Sequence, residues 1–283
     1  MMQEQNNIPV WLITGTSSGV GRTLAEAVLN HGHRVVLTAR NLESLKDLAD
    51  RFPDTAHAAA LDVTDPKQVL KVVEEAENKF GRIDVLVNNA GIGYSSAIEE
   101  GEDDAIRSLF ETNFFGLASM IRAVLPGMRE RKQGTIVNVS SNSGVVAMPS
   151  LGYYSASKFA VEGLTEALWQ EVTPLGIKVL LLEPGGMKTG ILQKNRQSVR
   201  NPAYAETSGA VRDLLEKQGD SLLTGDPERI AKVIIKTVEL EDKPNRLILG
   251  NAAFDQIMQK LDDLKTEYSA WETISRSTDF PEN

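Results

Sequence analysis

Cysteine is absent from all 283 residues. That excludes a disulfide framework, a thiolate nucleophile and any Cys-ligated metal, and it leaves the redox compartment unconstrained. Histidine is nearly as scarce: His31, His33 and His57 are not spaced as a metal-ligand set, so no metal is expected. No uncharged apolar run reaches the ~18 residues of a spanning helix, and the start "MMQEQNNIPV" lacks the basic patch and apolar run of a signal peptide. The expectation is a cytoplasmic protein with no membrane partner. Positive charge is in deficit, with 30 Lys and Arg against 39 Asp and Glu and a net charge of -9. This argues against a general nucleic-acid or anionic-membrane binder while leaving room for a local basic site. What is present is ordinary for a globular fold with a sizeable core: 41% of the residues are hydrophobic.

From Val10 onward, short β-rich apolar runs alternate with longer amphipathic ones, the pattern of strands joined by crossover helices. The strand candidates are 10–14, 34–39, 56–62, 83–88, 134–140, 177–183 and 245–250. Their near-continuous hydrophobicity suits a sheet buried on both faces. Helix starts stand between them: Asn41, then Asp65-Pro66 and Asp226-Pro227, each an acid positioned to cap followed by proline in the first turn. The expected fold is an α/β doubly wound parallel sheet with helices on both faces, in a single domain. No linker, repeat or low-complexity tract divides it. The main body is read as 1–250, with a substrate loop at about 186–225 that is long, mixed and poorly periodic. Residues 251–283 read as a helical extension of the same domain, with Phe254, Ile257, Leu261, Leu264 and Tyr268 spaced for one apolar face over a sheet edge or a partner subunit.

Directly after the first strand, "TGTSSGVGRTLAEAVL" is a glycine-rich turn opening a helix. Gly15 permits the tight exit from the strand, Gly19 lets backbone N–H groups approach a pyrophosphate, and Gly21 allows the helix to pack close. Ser17, Ser18 and Val20 complete the turn. The spacing is G-x-x-x-G-x-G, and its place between strand and helix points to dinucleotide binding. A NAD-type site would put a carboxylate at the end of the second strand, yet that strand ends "TARN". Ala39 stands there and Arg40 follows, so no carboxylate repels the 2′-phosphate of NADP and a guanidinium is offered to it. NADP(H) is therefore the expected cofactor, in preference to NAD(H). Asp62 and Val63, ending the third strand, suit the adenine, although a strand-end Asp also serves as a helix cap.

In "GYYSASKFA" (152–160), Tyr154 and Lys158 are four apart and project from one helix face, whereas Tyr153 points about 100° away. The Tyr-x-x-x-Lys spacing alone is weak. Its company is specific: "TGxxxGxG" from Thr14, "NNAG" at 88–91, "TNFFG" around Asn113, "NVSSNSG" around Ser141 and "EPGGMKT" at 183–189, all in one order. Together they resemble the short-chain dehydrogenase/reductase family, of the one-domain type, from about Val10 to Gly250.

The resemblance implies Ser141, thirteen residues before the tyrosine, and Tyr154 as the catalytic serine and acid, with Lys158. Asn113 matches the asparagine that in relatives holds a water joining the lysine to solvent. Asn89, Ala90 and Gly91 would line the adenosine and ribose side, and Pro184, Gly185 and Thr189 the nicotinamide. Reducing a ketone by hydride transfer leaves an alkoxide, so a proton must arrive at the same oxygen, and a phenol with a pKa near 10 needs help near neutrality. One ammonium at ~4 Å in an effective dielectric of ~20 supplies roughly the 4 kcal/mol that a ~3-unit drop requires. Lys158 is thus expected to pull the Tyr154 phenol down, while Ser141 hydrogen-bonds the developing oxyanion. The expected function is an NADP(H)-preferring oxidoreductase interconverting a carbonyl and an alcohol. A non-catalytic NADPH-binding sensor or partner protein on the same fold is the alternative, and a third reading is epimerisation or dehydration on the same scaffold. Pocket walls at 91–95, 145–151 and 185–193 are rich in aliphatic residues, with Lys188 as an exception, and suit an apolar ketone or a steroid-like alcohol. Relatives commonly pair through helices such as those containing 103–125 and 151–172, so a homodimer or homotetramer is expected.

Overall fold

Each central strand is apolar at successive residues because both of its faces are covered. In the computed structural model, which describes residues 8–188 and 195–280, seven parallel strands run in the order β3-β2-β1-β4-β6-β7-β9. They are β1 (Val10–Ile13), β2 (Arg34–Ala39), β3 (Ala56–Ala60), β4 (Val85–Asn88), β6 (Gly134–Val139), β7 (Ile177–Pro184) and β9 (Arg246–Leu249). Side chains alternate between two cores along every strand. Trp11, Ile13, Val35, Leu37, Val85, Val87 and Val137 enter one core, and Leu12, Val36, Leu86 and Ile136 enter the other. Each such fully buried side chain contributes about 1.5–3 kcal/mol.

Helix α1 (Gly19–Asn30) packs on the first face through Val20, Leu24 and Val28, after which comes a short α2 (Lys46–Arg51). On the second face, α3 (Pro66–Phe80) turns Val69, Val72, Val73 and Ala76 inward. It is joined there by α5 (Leu117–Arg131) and α6 (Gly152–Val172), while α4 (Asp103–Phe110), which runs through a π-type turn (Glu111–Gly116) into α5, buries Ala105 and Leu109 in a small separate cluster with Tyr94. The expected caps are present: Asp65 accepts from Lys67 N and Gln68 N, and Asn41 accepts from Glu43 N. Asp226 accepts from Glu228 N and Arg229 N at the start of a later helix, Pro227–Glu239.

One expectation needs correction, and a second is met only in part. Within 186–225 the described residues are largely ordered into elements rather than loop. The two-residue strand β8 (Arg196–Gln197) pairs with β5 (Tyr94–Ser95), and α7 (Ala210–Leu222) follows a second π-type turn. After α8 (Pro227–Glu239) and β9, the extension forms α9 (Asn251–Ala270) and α10 (Glu272–Arg276). The anticipated apolar face of α9 is buried by this chain only at Ile257. Ala253 and Ile257 are buried, while Phe254, Leu261 and Tyr268 are 52%, 47% and 68% exposed. The small side chain of Ala253 lets the helix approach Gly185, where an added Cβ would lie 3.1 Å from the Ala253 Cβ, and that contact sets the rotation.

Candidate active site

Because all seven strands are parallel, their carboxyl ends share one edge, and the chain reverses direction of progress between β1 and β4. A ligand crevice belongs at that switch point. Thr14 ends β1 there, and its hydroxyl accepts from Asn89 N and Ala90 N, both at 2.9 Å. Asn89 donates back to the carbonyls of Thr14 (2.9 Å) and Gly15 (3.2 Å), so its side chain cross-links the glycine turn to β4. Gly15 and Gly19 have φ of +74° and +60°, a region that suits glycine. A Cβ on Gly21 would drive into Asn89 Nδ2 and the Gly15 carbonyl. We therefore expect Gly21→Ala to break the cross-link and destabilise the protein by about 1–3 kcal/mol, read as a lowered denaturation midpoint together with weakened dinucleotide binding.

The first turn of α1 contains no acidic residue, and Ser18 makes no side-chain cap to it. A dinucleotide pyrophosphate fits such a turn. Ser17 is exposed, and Val20 faces the core, so only its backbone can meet a ligand. Arg40 is exposed just past β2 and makes no ion pair among the described residues, unlike Arg22, which is engaged by Asp47. Asp62 lies past the end of β3, and its Oδ1 accepts from Thr64 N (3.0 Å) and Thr64 Oγ1 (2.7 Å). Val63 is buried against Gly116. Gly185 N donates to Leu249 O (3.0 Å), Pro184 closes β7, and Thr189 lies outside the described residues.

Across the crevice, Ser141 caps a 3-10 turn (Asn142–Gly144), accepting from Ser143 N at 3.1 Å. Tyr154 and Lys158 share a face of α6, with Lys158 Nζ 5.8 Å from the Tyr154 ring centroid. Burial raises the Tyr154 phenol above its ordinary value, and the hydrogen bond with Ser141 pulls the other way. The expected downward pull from Lys158 is not what this geometry gives. The ammonium is itself buried, which lowers Lys158 to about 8, and its Nζ donates to Val139 O at 2.9 Å. Asn113 sits in the π-type turn, and such turns recur at functional sites. Its side chain brackets Ile92, accepting from the N–H (2.9 Å) and donating to the carbonyl (3.0 Å), and it also donates to Ser157 Oγ (3.1 Å). A Cβ on Gly91 would stand 3.3 Å from Asn113 Oδ1 and 3.8 Å from Lys158 Nζ, so Gly91, Asn113 and Lys158 converge. Tyr153 is packed, its hydroxyl bonded to Ile98 O at 2.8 Å.

Sequence reasoning missed three features. Glu162, Glu183 and Arg246 gather beside Lys158, a cluster whose one legible sign is the four-residue spacing of Lys158 and Glu162. Buried Arg212 and Glu100 join α7 to the loop after β5. His31 and His33 meet Glu239. In that last group Trp11 donates its indole N–H to His33 Nδ1 at 3.1 Å, which leaves the proton on Nε2 and makes that nitrogen a poor metal ligand.

A dinucleotide-type crevice faced by a serine, a tyrosine and a lysine defines an oxidoreductase of the parallel α/β class. The chain belongs to the short chain dehydrogenase family, whose model matches residues 9–200. It is 38% identical over 269 residues to oxidoreductase BOA17 of Botryotinia fuckeliana, covering 94% of this chain and 97% of that one. It is 37% identical over 246 residues to the 3-ketodihydrosphingosine reductase of Bacteroides thetaiotaomicron, covering 84% and 87%. A short-chain dehydrogenase structure from Streptomyces avermitilis superposes with a TM-score of 0.90 at 44% identity, covering 97% of this chain and 99% of that one. A short chain dehydrogenase/reductase of Burkholderia phymatum solved with NAD aligns at TM-score 0.80 and 25% identity, covering 93% and 96%. ElxO with NADP bound aligns at 0.72 and 30%, covering 86% and 96%. The protein is thus an oxidoreductase of a family that uses a nicotinamide cofactor. Among the described residues no helix is long and apolar enough to cross a membrane.

Proposed function

We propose that the protein is an NADPH-dependent reductase of an apolar ketone or aldehyde, working in reverse as an alcohol dehydrogenase. The observation that carries this is the Tyr154–Lys158 face of α6 turned toward Ser141 at the carboxyl edge of the sheet. Bound nicotinamide supplies the hydride to the carbonyl carbon. Tyr154 delivers the proton to the carbonyl oxygen and takes it back in the oxidative direction. Ser141 donates a hydrogen bond to that oxygen as charge develops on it. Lys158 holds positive charge beneath the phenol. Asn113 fixes the backbone at Ile92, keeping that side of the crevice in register with α6.

The uncommitted guanidinium of Arg40 and the absence of a carboxylate at Ala39 support NADPH over NADH. The aliphatic walls support an apolar substrate, and the named activity of the Bacteroides relative, reduction of a ketone on a long-chain lipid base, is of the same kind. Phe115 on the π-type turn and Phe159 on α6 are 51% and 46% exposed, which supports pairing of two chains through these helices.

The test is a fluorescence titration with NADPH and separately with NADH, followed by turnover of a panel of apolar ketones. Tighter NADPH binding with turnover is the expected result, and Arg40→Ala is expected to weaken NADPH by about tenfold or more while leaving NADH unchanged. An Arg40→Ala variant with full NADPH affinity overturns the cofactor assignment. Binding without any turnover favours the sensor alternative.

A further inference from the structure

Below Tyr154 and Lys158, the same face of α6 continues into a second group of buried charges. Glu162 follows Lys158 by four residues and Tyr154 by eight, so all three point one way. Each meets the end of β6. Tyr154 is bonded to Ser141, and Lys158 Nζ to Val139 O at 2.9 Å. Glu162 Oε1 faces Ser140 Oγ beside Gly144, where an added Cβ would lie 2.5 Å from the hydroxyl oxygen and 2.8 Å from the carboxylate. Both oxygens are buried, and among the described residues neither meets a partner at hydrogen-bonding geometry. Glycine at 144 is what leaves room for them.

The other oxygen of Glu162 is held by Arg246 Nη1, which also binds Glu183 Oε1 at 2.8 Å, so two buried carboxylates share one guanidinium. The charged groups around Glu162 are Lys158 and Glu166 on its own helix, Arg246 from β9 and Glu183 from β7. The end of β6 and the Asn142–Gly144 turn bring none. Burial, with the neighbouring Glu183 charge, pushes Glu162 up to about 7 against the Ser140 and Arg246 contacts. For Lys158, burial drives the ammonium down to about 8, and the Glu162 charge opposes that fall.

We propose that Glu162 is a positioning residue, acting through Lys158: its carboxylate, held in place by Arg246, keeps the lysine charged beneath Tyr154. This rests on the reductase reading above. The ammonium is charged below its pKa and is lost as pH rises through it. At about 8 it is mostly charged near neutrality, and a fall of about one unit would leave it only half charged there. Glu162, at about 7, is mostly ionised by pH 8, so its charge is present across the range in which the lysine loses its proton.

The test reads Lys158 directly, in full-length protein labelled with 15N-lysine, with the Lys158 Nζ resonance assigned through Lys158→Arg and titrated by NMR. Glu162→Gln is expected to lower the Lys158 midpoint by about one pH unit, and Glu162→Asp to restore it. The alkaline fall of the reductive rate should move by the same amount, whereas a merely structural role would lower kcat equally at every pH. An unchanged midpoint in Glu162→Gln overturns the proposal. Should that variant fail to fold, Glu162→Met serves, since an apolar side chain of similar length removes the carboxylate without leaving a buried polar group and must also lower the midpoint. An unchanged midpoint there overturns the proposal equally. The titration needs no substrate, so failure of the wild type to turn over any carbonyl would count against the reductase reading alone.

Discussion

Tyr154→Phe is expected to lower kcat by about 10²–10⁴-fold, the usual contribution of one positioned acid, while leaving NADPH binding intact. The ring is kept, so packing on α6 is kept, and only the proton donor goes. Among the described residues no neighbour can replace it. Lys158 has its Nζ on Val139 O and lies 5.8 Å from the ring centroid, and Ser141 carries a hydroxyl far too weakly acidic to serve. Steady-state rates with the best ketone of the panel, set beside a fluorescence titration of the same variant, separate chemistry from binding. Near-full turnover would mean that the proton comes from elsewhere and that the Tyr154 assignment is wrong.

Glu100→Gln should cost about 3–5 kcal/mol of stability, because it leaves the guanidinium of Arg212 buried without its counter-charge. Arg212 is 2% exposed and reaches Glu100, Ser198 and Ser150. Burial alone would push the Glu100 carboxyl up. The N–H groups of Asn201 and Ala97, the Ser198 hydroxyl and the Arg212 guanidinium outweigh it and hold the pKa at about 2 instead of 4.5. A depressed carboxyl stabilises the fold above its unfolded pKa and ceases to do so as pH falls through the folded one. Wild type and variant should therefore differ fully above about pH 4.5 and converge toward about pH 2. Urea denaturation midpoints across that range measure it, and a constant gap down to the lowest pH would show that the carboxylate charge is not the cause. Limited proteolysis of the variant should first cut within 196–222, the segment this pair fastens.

The seven strands could be read from the sequence because a two-sided core leaves no polar alternation to interrupt them. Their ends were less legible. Residues 83 and 84 precede β4, and the Asp84 carboxylate accepts from Val10 N at 2.8 Å, so an acid at the strand's start braces β1. In helix α7 the apolar spacing misleads: Val211, Leu214, Leu215 and Leu222 fall at helical intervals, yet the buried positions are Arg212 and Gly219, while Leu214 and Leu222 are exposed. The Tyr154–Lys158 face was visible from spacing alone, whereas choosing Ser141 over Ser140 needed the family register. The structure separates those neighbours physically, turning Ser141 to Tyr154 and Ser140 to Glu162. The phenol's ionisation was misjudged because Coulomb attraction was weighed without the burial that penalises both partners.

The fastening of 196–222 has a wider meaning. Beside the pairing of β8 with β5, its side-chain fastenings come largely from one short acidic stretch, with Glu99 on Tyr204, Glu100 on Arg212, Ser198 and Asn201, and Glu102 and Asp104 on Arg196. The chemistry, by contrast, sits on the end of β6 and on α6, and neither element takes part in those fastenings apart from the Ser150 hydroxyl that precedes α6. On the reductase reading proposed above, the segment expected to meet the substrate and the residues that move the proton are thus fastened separately. Transplanting residues 195–225 together with their acidic stretch from a relative should redirect which ketone is accepted and leave the proton chemistry as it stands.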